Sequence, residues 1–392
     1  MPKIVENFFE NNIFTYQSYS CNSVSDTIHI NPNMPASIIY KVMSNANKEV
    51  QFAYAAKKGL VRLNKNGTIA ENNVLGSFIA IANQKKPDYT SFFTDNGFLF
   101  PISDTEYEEI LPGQLNAISE RLRNTVELMS GVSSIHKNYN KLFALLFLLL
   151  FSPDAEVKTS RMDYTYKTCH HKLLDLLTDT STVPQRIEMG IIKAGMESYT
   201  VYDSVLDKTV DLDSQEYLDC ISGYSTTSAT MGNLVYLYAN YNGDIEIKKS
   251  IDLLYHIFHD YGCMPEMTYE RGTVFENGEH EFSEEIKNAI LDVSKYIIGE
   301  EINANLSGIY PLYDTNTMTP SWRVNSLLSA LYFSIFYIKP DMELYRQCAN
   351  PRCGKYFLVK TTSTRTKYCG VECCNRVTQD TYRKNKRAKK EN

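Results

Sequence analysis

The chain has 392 residues, 43% hydrophobic and 22% charged, a composition ordinary for a folded soluble protein and long enough for two or three domains. Its formal net charge of -6 argues against a uniformly basic nucleic-acid binder. The charge is uneven, however: residues 345–392 hold 13 Lys and Arg against 3 Asp and Glu, leaving 27 against 43 elsewhere, which reads as a basic interaction module on an acidic body.

The N-terminal stretch MPKIVENFFENNIF carries acidic and polar residues where a signal peptide has a continuous apolar core. SDTIHI and EVQFAYA read as short strands, and LVRLNKNGTI as an extended run ending at an Asn-Gly turn. These form an N-terminal mixed segment, 1–73. From Val74 the pattern turns mainly helical and continues to residue 340 as one body. GQLNAISERLRNTVELMSGV puts Leu115, Ile118, Leu122, Val126 and Met129 at helical spacing, with Gly131 as a stop signal. LFALLFLLLF has ten residues where a membrane span needs about 20, so it reads as a buried helix and no membrane partner is expected. SYTVYDSVLDKTVDL reads as a β interruption, after which KKSIDLLYHIFHDYG resumes the helical pattern and stops at Gly262. Ile286, Ile290, Val293 and Ile297 share one helix face, and VNSLLSALYFSIFYI is apolar nearly all round, hence buried.

No catalytic constellation stands out, and the protein is not expected to be an enzyme. His170 and His171 point about 100° apart on a helix, which suits surface or capping roles better than a nucleophile and its base. His256 and His259 share a helix face, but no glutamate completes an HExxH frame, so they read as two partly exposed helix histidines. GYSTTSATMGN lacks the order of a phosphate loop, and the acids of DTEYEE and HEFSEE sit at apparent helix starts, where carboxylates favour the dipole.

The third segment, 345–392, carries the strongest signal. Cys348 and Cys353 are separated by four residues, Cys369 follows after fifteen, and Cys373 after three more. Two close pairs at this distance suit a structural tetrahedral zinc ion, one per chain, and without a secretion signal the cytosol favours metal over disulfides. NPRCG reads as a knuckle and KYFLV as a strand, followed by a helix whose first turn supplies the last ligands, a treble-clef-like arrangement. Cys374 competes with Cys373 as fourth ligand. At about 100° per residue Cys373 shares a side with Cys369, while Cys374 falls on the less polar face and is expected to pack against the body. On the same wheel Arg376, Arg383, Arg387 and Lys390 align within about 60°, flanked by Lys384 and Lys386, a stripe suited to a phosphate backbone. Asp380 interrupts it, with Arg383 as a candidate partner three residues on.

The stretch YRQCANPRCGKYFLVKTTSTRTKYCGVECCNRVTQDTYRKNK resembles the CGNR zinc finger found at the C-terminus of ABATE-type transcription regulators. The likeness rests on Cys348, Cys353, Tyr368-Cys369, Cys373-Cys374-Asn375-Arg376 and Tyr382-Arg383, and on an apolar helical lead-in ending at an arginine before the first ligand. It covers roughly the last 70 residues and departs from the family at Cys374, which stands in place of glycine, at Tyr368 in place of the frequent tryptophan, and in a longer hairpin. The resemblance implies zinc and DNA binding. The sequence thus describes a cytoplasmic α+β protein with a mainly helical body, a sensing or oligomerising part, and a C-terminal zinc finger with a basic helix. Its partner is DNA; the alternatives are RNA, an acidic protein, or a finger serving structure alone.

Overall fold

The computed structural model describes residues 13–25, 38–55, 58–82, 84, 89–100, 107–110, 112–152, 157–158, 165–166, 170–179, 185, 188–189, 200–212, 229–262, 264, 266–275, 281–315, 318–338, 343–360, 362–363 and 365–391. They form a mixed α/β structure with small antiparallel sheets. The chain divides into two compact units interleaved along the sequence. Met1–Val126, Pro153–Thr168 and Ile302–Asn392 form the first, and Glu127–Ser152 with Cys169–Glu301 form the second. The helices that matter below are, in chain order, α1 (Val74–Ala82), α2 (Thr90–Asn96), α3 (Pro112–Ser133), α4 (Tyr139–Leu150) and α5 (Lys172–Thr178). They continue with α6 (Ala229–Asn240), α7 (Ile245–His256), α8 (Glu284–Ala304), α9 (Leu327–Phe336) and α10 (Val371–Glu391).

The first unit is built on strands β1 (Ile13–Ser25), β2 (Ile38–Ala55), β3 (Gly59–Leu63) and β4 (Ile69–Glu71), in that order and antiparallel, with β5 (Tyr107–Ile110) pairing the start of β2. EVQFAYA is the end of β2, and LVRL is β3, joined to β4 by a turn in which Gly67 takes φ 72°. Of SDTIHI only Ser25 belongs to β1, and 26–30 lie outside the described residues. DTEYEE is not a helix start: Tyr107 to Glu109 run in β5, since cross-strand pairing with β2 outweighs the local preference of carboxylates for a helix N-terminus. α1 starts at Val74 behind Asn73, whose side-chain oxygen accepts the Gly76 N–H at 3.1 Å. Phe78, Tyr89, Phe92, Phe93 and Phe98 form an aromatic cluster, with the Phe93 and Phe98 rings edge-to-face at 5.0 Å. α9 is buried from Leu327 to Ile335, as its sequence foretold, with Phe336 exposed at its end, and starts at the Ser326 cap.

The second unit gathers α4, α5, α6, α7 and the hydrophobic face of α8 around one core, in which Leu146, Leu149, Leu237, Ile251, Ile290 and Ile297 are all buried. Each such side chain contributes about 1.5–3 kcal/mol by leaving water. Gly131 does not stop α3, which continues to Ser133. A Cβ there would sit 2.7 Å from a Leu142 methyl, so the glycine serves close helix approach. The expected β interruption is the hairpin of β6 (Thr200–Asp203) and β7 (Lys208–Asp211).

One cluster of polar groups buried in the second unit is satisfied from within, whereas the buried Ser294 Oγ has no hydrogen-bond partner among the described residues. Asp203 accepts from Tyr238 Oη at 2.7 Å, pairs with His256 Nε2 at 2.6 Å, and takes the Val205 and Leu206 backbone N–H groups on its other oxygen. His256 Nδ1 meets Asp260 at 2.9 Å. Burial disfavours the His256 cation, but the hydrogen bonds to Asp203 and Asp260 outweigh it and push the imidazole pKa up to about 9. Burial likewise raises Asp203, but His256 and Tyr238 bring it down to about 2. His171 is not a surface residue: it is 1% exposed at the start of α5, with Glu300 at 2.6 Å and Glu301 at 3.1 Å on its two ring nitrogens. His256, expected to be partly exposed, is also buried, because its two carboxylate partners satisfy both nitrogens.

Candidate metal centre and nucleic-acid interface

Near the C-terminus, β8 (Glu343–Gln347) and β9 (Tyr356–Lys360) pair antiparallel, with Gln347 opposite Tyr356. Their connection carries the first two cysteines. Cys348 N–H donates to the Lys355 carbonyl at 2.9 Å, and Cys353 N–H to that of Asn350, also at 2.9 Å. Asn350 Oδ1 accepts from the Arg352 N–H at 3.1 Å, an Asx turn that folds Asn-Pro-Arg-Cys back on itself. Gly354 follows at φ 63°, a conformation that a side chain would strain. The second half is brought in by backbone: Ala349 N–H bonds the Lys367 carbonyl at 2.8 Å, and Arg346 Nη1 holds the Ser363 and Thr366 carbonyls at 3.0 and 2.8 Å. Cys369 precedes α10, and Cys373 lies in its first turn.

The four sulfurs of Cys348, Cys353, Cys369 and Cys373 all lie within 4.8 Å of one another, the one such group of metal-ligating side chains found among the described residues. Cys369 Sγ is 3.6 Å from Cys353 Sγ and 3.6 Å from Cys373 Sγ, and all the described cysteines are free thiols. A tetrahedral ion with bonds of about 2.3 Å to sulfur needs edges of about 3.8 Å, so the donor set fits a tetrahedral, thiophilic cation. Donors already face the sulfurs: the Cys369 N–H reaches Cys348 Sγ at 3.5 Å, the Lys355 N–H serves Cys353, and the Asn350 amide serves Cys373. Burial pushes the Cys369 thiol up, and the adjacent sulfurs push it further. Burial also raises Cys353, whereas the Asn350 amide and neighbouring thiols bring Cys373 below its usual value despite burial. Four crowded sulfurs ionise together only when a cation compensates them.

This hairpin is not a free-standing finger. Tyr345, Tyr356 and Val359 are buried. Asn73, before α1, bonds the Tyr356 carbonyl, and Tyr345 Oη donates to Asn73 Oδ1 at 3.4 Å. A Cβ on Gly76 would overlap the Tyr356 carbonyl oxygen, so α1 approaches β9 at a distance only glycine allows.

α10 rises from the fourth cysteine. Cys373, Val377 and Asp380 are its half-buried residues, and every other described side chain on it is exposed. The side chains of Arg376, Arg383, Lys384 and Lys386 are exposed and make no ion pair or hydrogen bond among the described residues. Arg387 and Lys390 lie on the course of the helix, but their side chains are outside the described residues. Asp380 is not paired with Arg383: its carboxylate meets Arg352 of the knuckle at 3.5 Å, which removes it from the basic stripe. Cys374 does not pack inward as expected but is exposed, because the helix is held by its Cys373–Val377–Asp380 edge rather than by its less polar one. Arg346 stands in a strand, not at the end of a helix as the family likeness implied.

Asn350, Arg352 and the Lys355 N–H are the contributors that sequence reasoning missed. Asn-Pro-Arg is an Asx-turn signal and could have exposed the first; the pairing of Arg352 with Asp380 is tertiary and carries no local mark. Among the described residues no helix is long and apolar enough to cross a membrane. Comparison of the chain with protein-family models, with curated proteins and with solved structures found no match.

Proposed function

We propose that this is a zinc-containing DNA-binding protein, a transcription regulator of the CGNR zinc-finger kind, in which Cys348, Cys353, Cys369 and Cys373 hold one structural ion and α10 contacts the duplex. The observation that carries the reading is a helix whose first turn bears a cysteine of the cluster and whose next turns expose Arg376, Arg383, Lys384 and Lys386 without protein partners. Zinc is the natural occupant of an all-thiolate tetrahedral site, and four thiolates leave no position open for water or substrate. The ion's contribution is therefore to folding. Knuckle, strand and helix surround the cluster in the order a treble clef uses.

The cysteines fix where α10 starts, and the Arg352–Asp380 pair and half-buried Val377 fix its direction. The cations then face a polyanion without first breaking bonds within the protein. Counterion release from the duplex supplies the affinity. The second unit is assigned the sensing or oligomerising role.

The test is metal analysis joined to duplex binding. One zinc per chain, a tetrahedral thiolate spectrum on cobalt(II) substitution, and loss of duplex binding on chelation with recovery on zinc addition are expected. Full binding by metal-free protein would contradict the reading.

A further inference from the structure

The exposed side chains of α10 are sorted by kind around the helix. At about 100° per residue, with Arg376 at zero, the half-buried Asp380, Cys373 and Val377 fall at about 40°, 60° and 100°. Tyr382, Asn375, Lys386 and Gln379 fall at about 240°, 260°, 280° and 300°, close to diametrically opposite the anchored edge. These four positions, 375, 379, 382 and 386, form one unbroken ridge of i, i+4, i+7, i+11 spacing, and all four side chains are exposed. Tyr382 is 66% exposed, so its ring is available to a partner laid along the ridge. Arg376 and Arg383 run beside the ridge at about 0° and 340°, while Lys384, at about 80°, lies near the anchored edge.

Resting on the DNA-binding reading above, we propose that this ridge reads base edges in the major groove of duplex DNA, with Asn375 and Gln379 as adenine-reading residues and Arg376 and Arg383 holding phosphates alongside. Carboxamides match the donor–acceptor pair that adenine presents in the major groove. One helical turn separates the two residues, about 6 Å along the axis, close to two base-pair steps. The groove of a B-form duplex admits a helix, whereas the deep, narrow major groove of A-form RNA does not. A coiled-coil partner would need apolar residues along the seam, and Asn, Gln, Tyr and Lys do not supply one. Placing the ridge opposite Cys373 also keeps the metal cluster out of the groove, where it acts only to hold the helix.

The test is selection from a randomised duplex library with zinc-loaded full-length protein, followed by affinity measurements for wild type, Asn375→Ala and Gln379→Ala on the selected site and on substituted sites. Circular dichroism and zinc content verify that each variant is folded. The proposal expects an adenine-containing site and, for the wild type, a penalty on the order of tenfold for replacing a contacted adenine. Each alanine variant should lose the penalty at one position while keeping the salt dependence of the wild type. Wild-type binding that is tight but equal on selected and random duplexes would overturn the ridge assignment and leave the DNA-binding reading standing. Absence of duplex binding at low salt would overturn both.

Discussion

The second unit and the C-terminal helix use the same charged residues in opposite ways. In the second unit Lys141 meets Glu127 at 2.7 Å, Lys249 meets Asp292 at 2.9 Å, Lys287 meets Glu284 at 2.9 Å, and Lys248 is tied to Asp252. The histidines follow suit, His171 between two glutamates and His256 between two aspartates. On α10, Arg376, Arg383, Lys384 and Lys386 have no such partners among the described residues, and Asp380, one turn from Arg376, Arg383 and Lys384, is drawn away by Arg352. A cation closed by a carboxylate holds a fold together; a cation left open is available to a partner. The role is decided by the neighbours, not by the residue type.

Removing the anchor of the open region breaks this contrast most severely. Cys348→Ser and Cys369→Ser should each lose the bound metal and weaken duplex binding by at least about 100-fold, because the helix is no longer fixed to the knuckle. Cys374→Ser should change neither by more than about twofold, since that thiol is outside the cluster; zinc content and fluorescence anisotropy check both.

Gly76→Ala attacks the platform beneath. With a Cβ overlapping the Tyr356 carbonyl oxygen, α1 and β9 must separate, at a cost of about 3 kcal/mol, read as a lowered chemical-denaturation midpoint of the first unit.

pH separates the two regions in opposite directions. His256 is raised from 6.5 to about 9 in the folded state, so its stabilisation is complete below 6.5 and lost as pH rises through about 9. Asp203 is lowered from 3.8 to about 2, so its share is present above 3.8 and lost as pH falls through about 2. The second unit should therefore lose on the order of 2 kcal/mol between pH 7 and 10, and His256→Asn should flatten that slope. A zinc ion held by the four cysteines should move the other way: thiolates compete with protons, so acidification should release it. Denaturation monitored against pH, beside zinc release, checks the pair.

The mildest change is Arg352→Ala. The exposed pair with Asp380 adds at most about 1 kcal/mol to stability. Freed, Asp380 can instead reach Arg376, Arg383 or Lys384 within the helix, and duplex affinity should fall about twofold to threefold while zinc content stays constant.

The cysteine cluster was legible because metal-site spacing is a local signal: four cysteines in two close pairs need no tertiary knowledge to be grouped. Most helices were legible from periodicity, as in the Ile286–Ile290–Val293–Ile297 face, which is buried throughout. What failed depended on long-range partners. DTEYEE became a strand because β2 was there to pair it. Gly131 stayed helical because Leu142 needed the space, and His171 went inside because Glu300 and Glu301, far along the chain, receive it. Cys374 was misplaced by assuming that the less polar side of a helix faces inward, whereas on α10 the inward edge is chosen by Cys373 and by Arg352. The interleaving of the two units has no local signal, since it joins residues 302–392 to residues 1–126.

The measurement that bears most directly on the open-cation account is the salt dependence of duplex DNA binding by the zinc-loaded full-length protein, beside the Arg376→Gln/Arg383→Gln/Lys386→Gln variant. A plot of log affinity against log salt should be linear for the wild type with a slope of about -4 to -5, and the variant should be shallower by about 3 at unchanged zinc content. A wild-type slope near zero, or a variant slope equal to it, would contradict the claim that these cations are kept free for a nucleic-acid backbone.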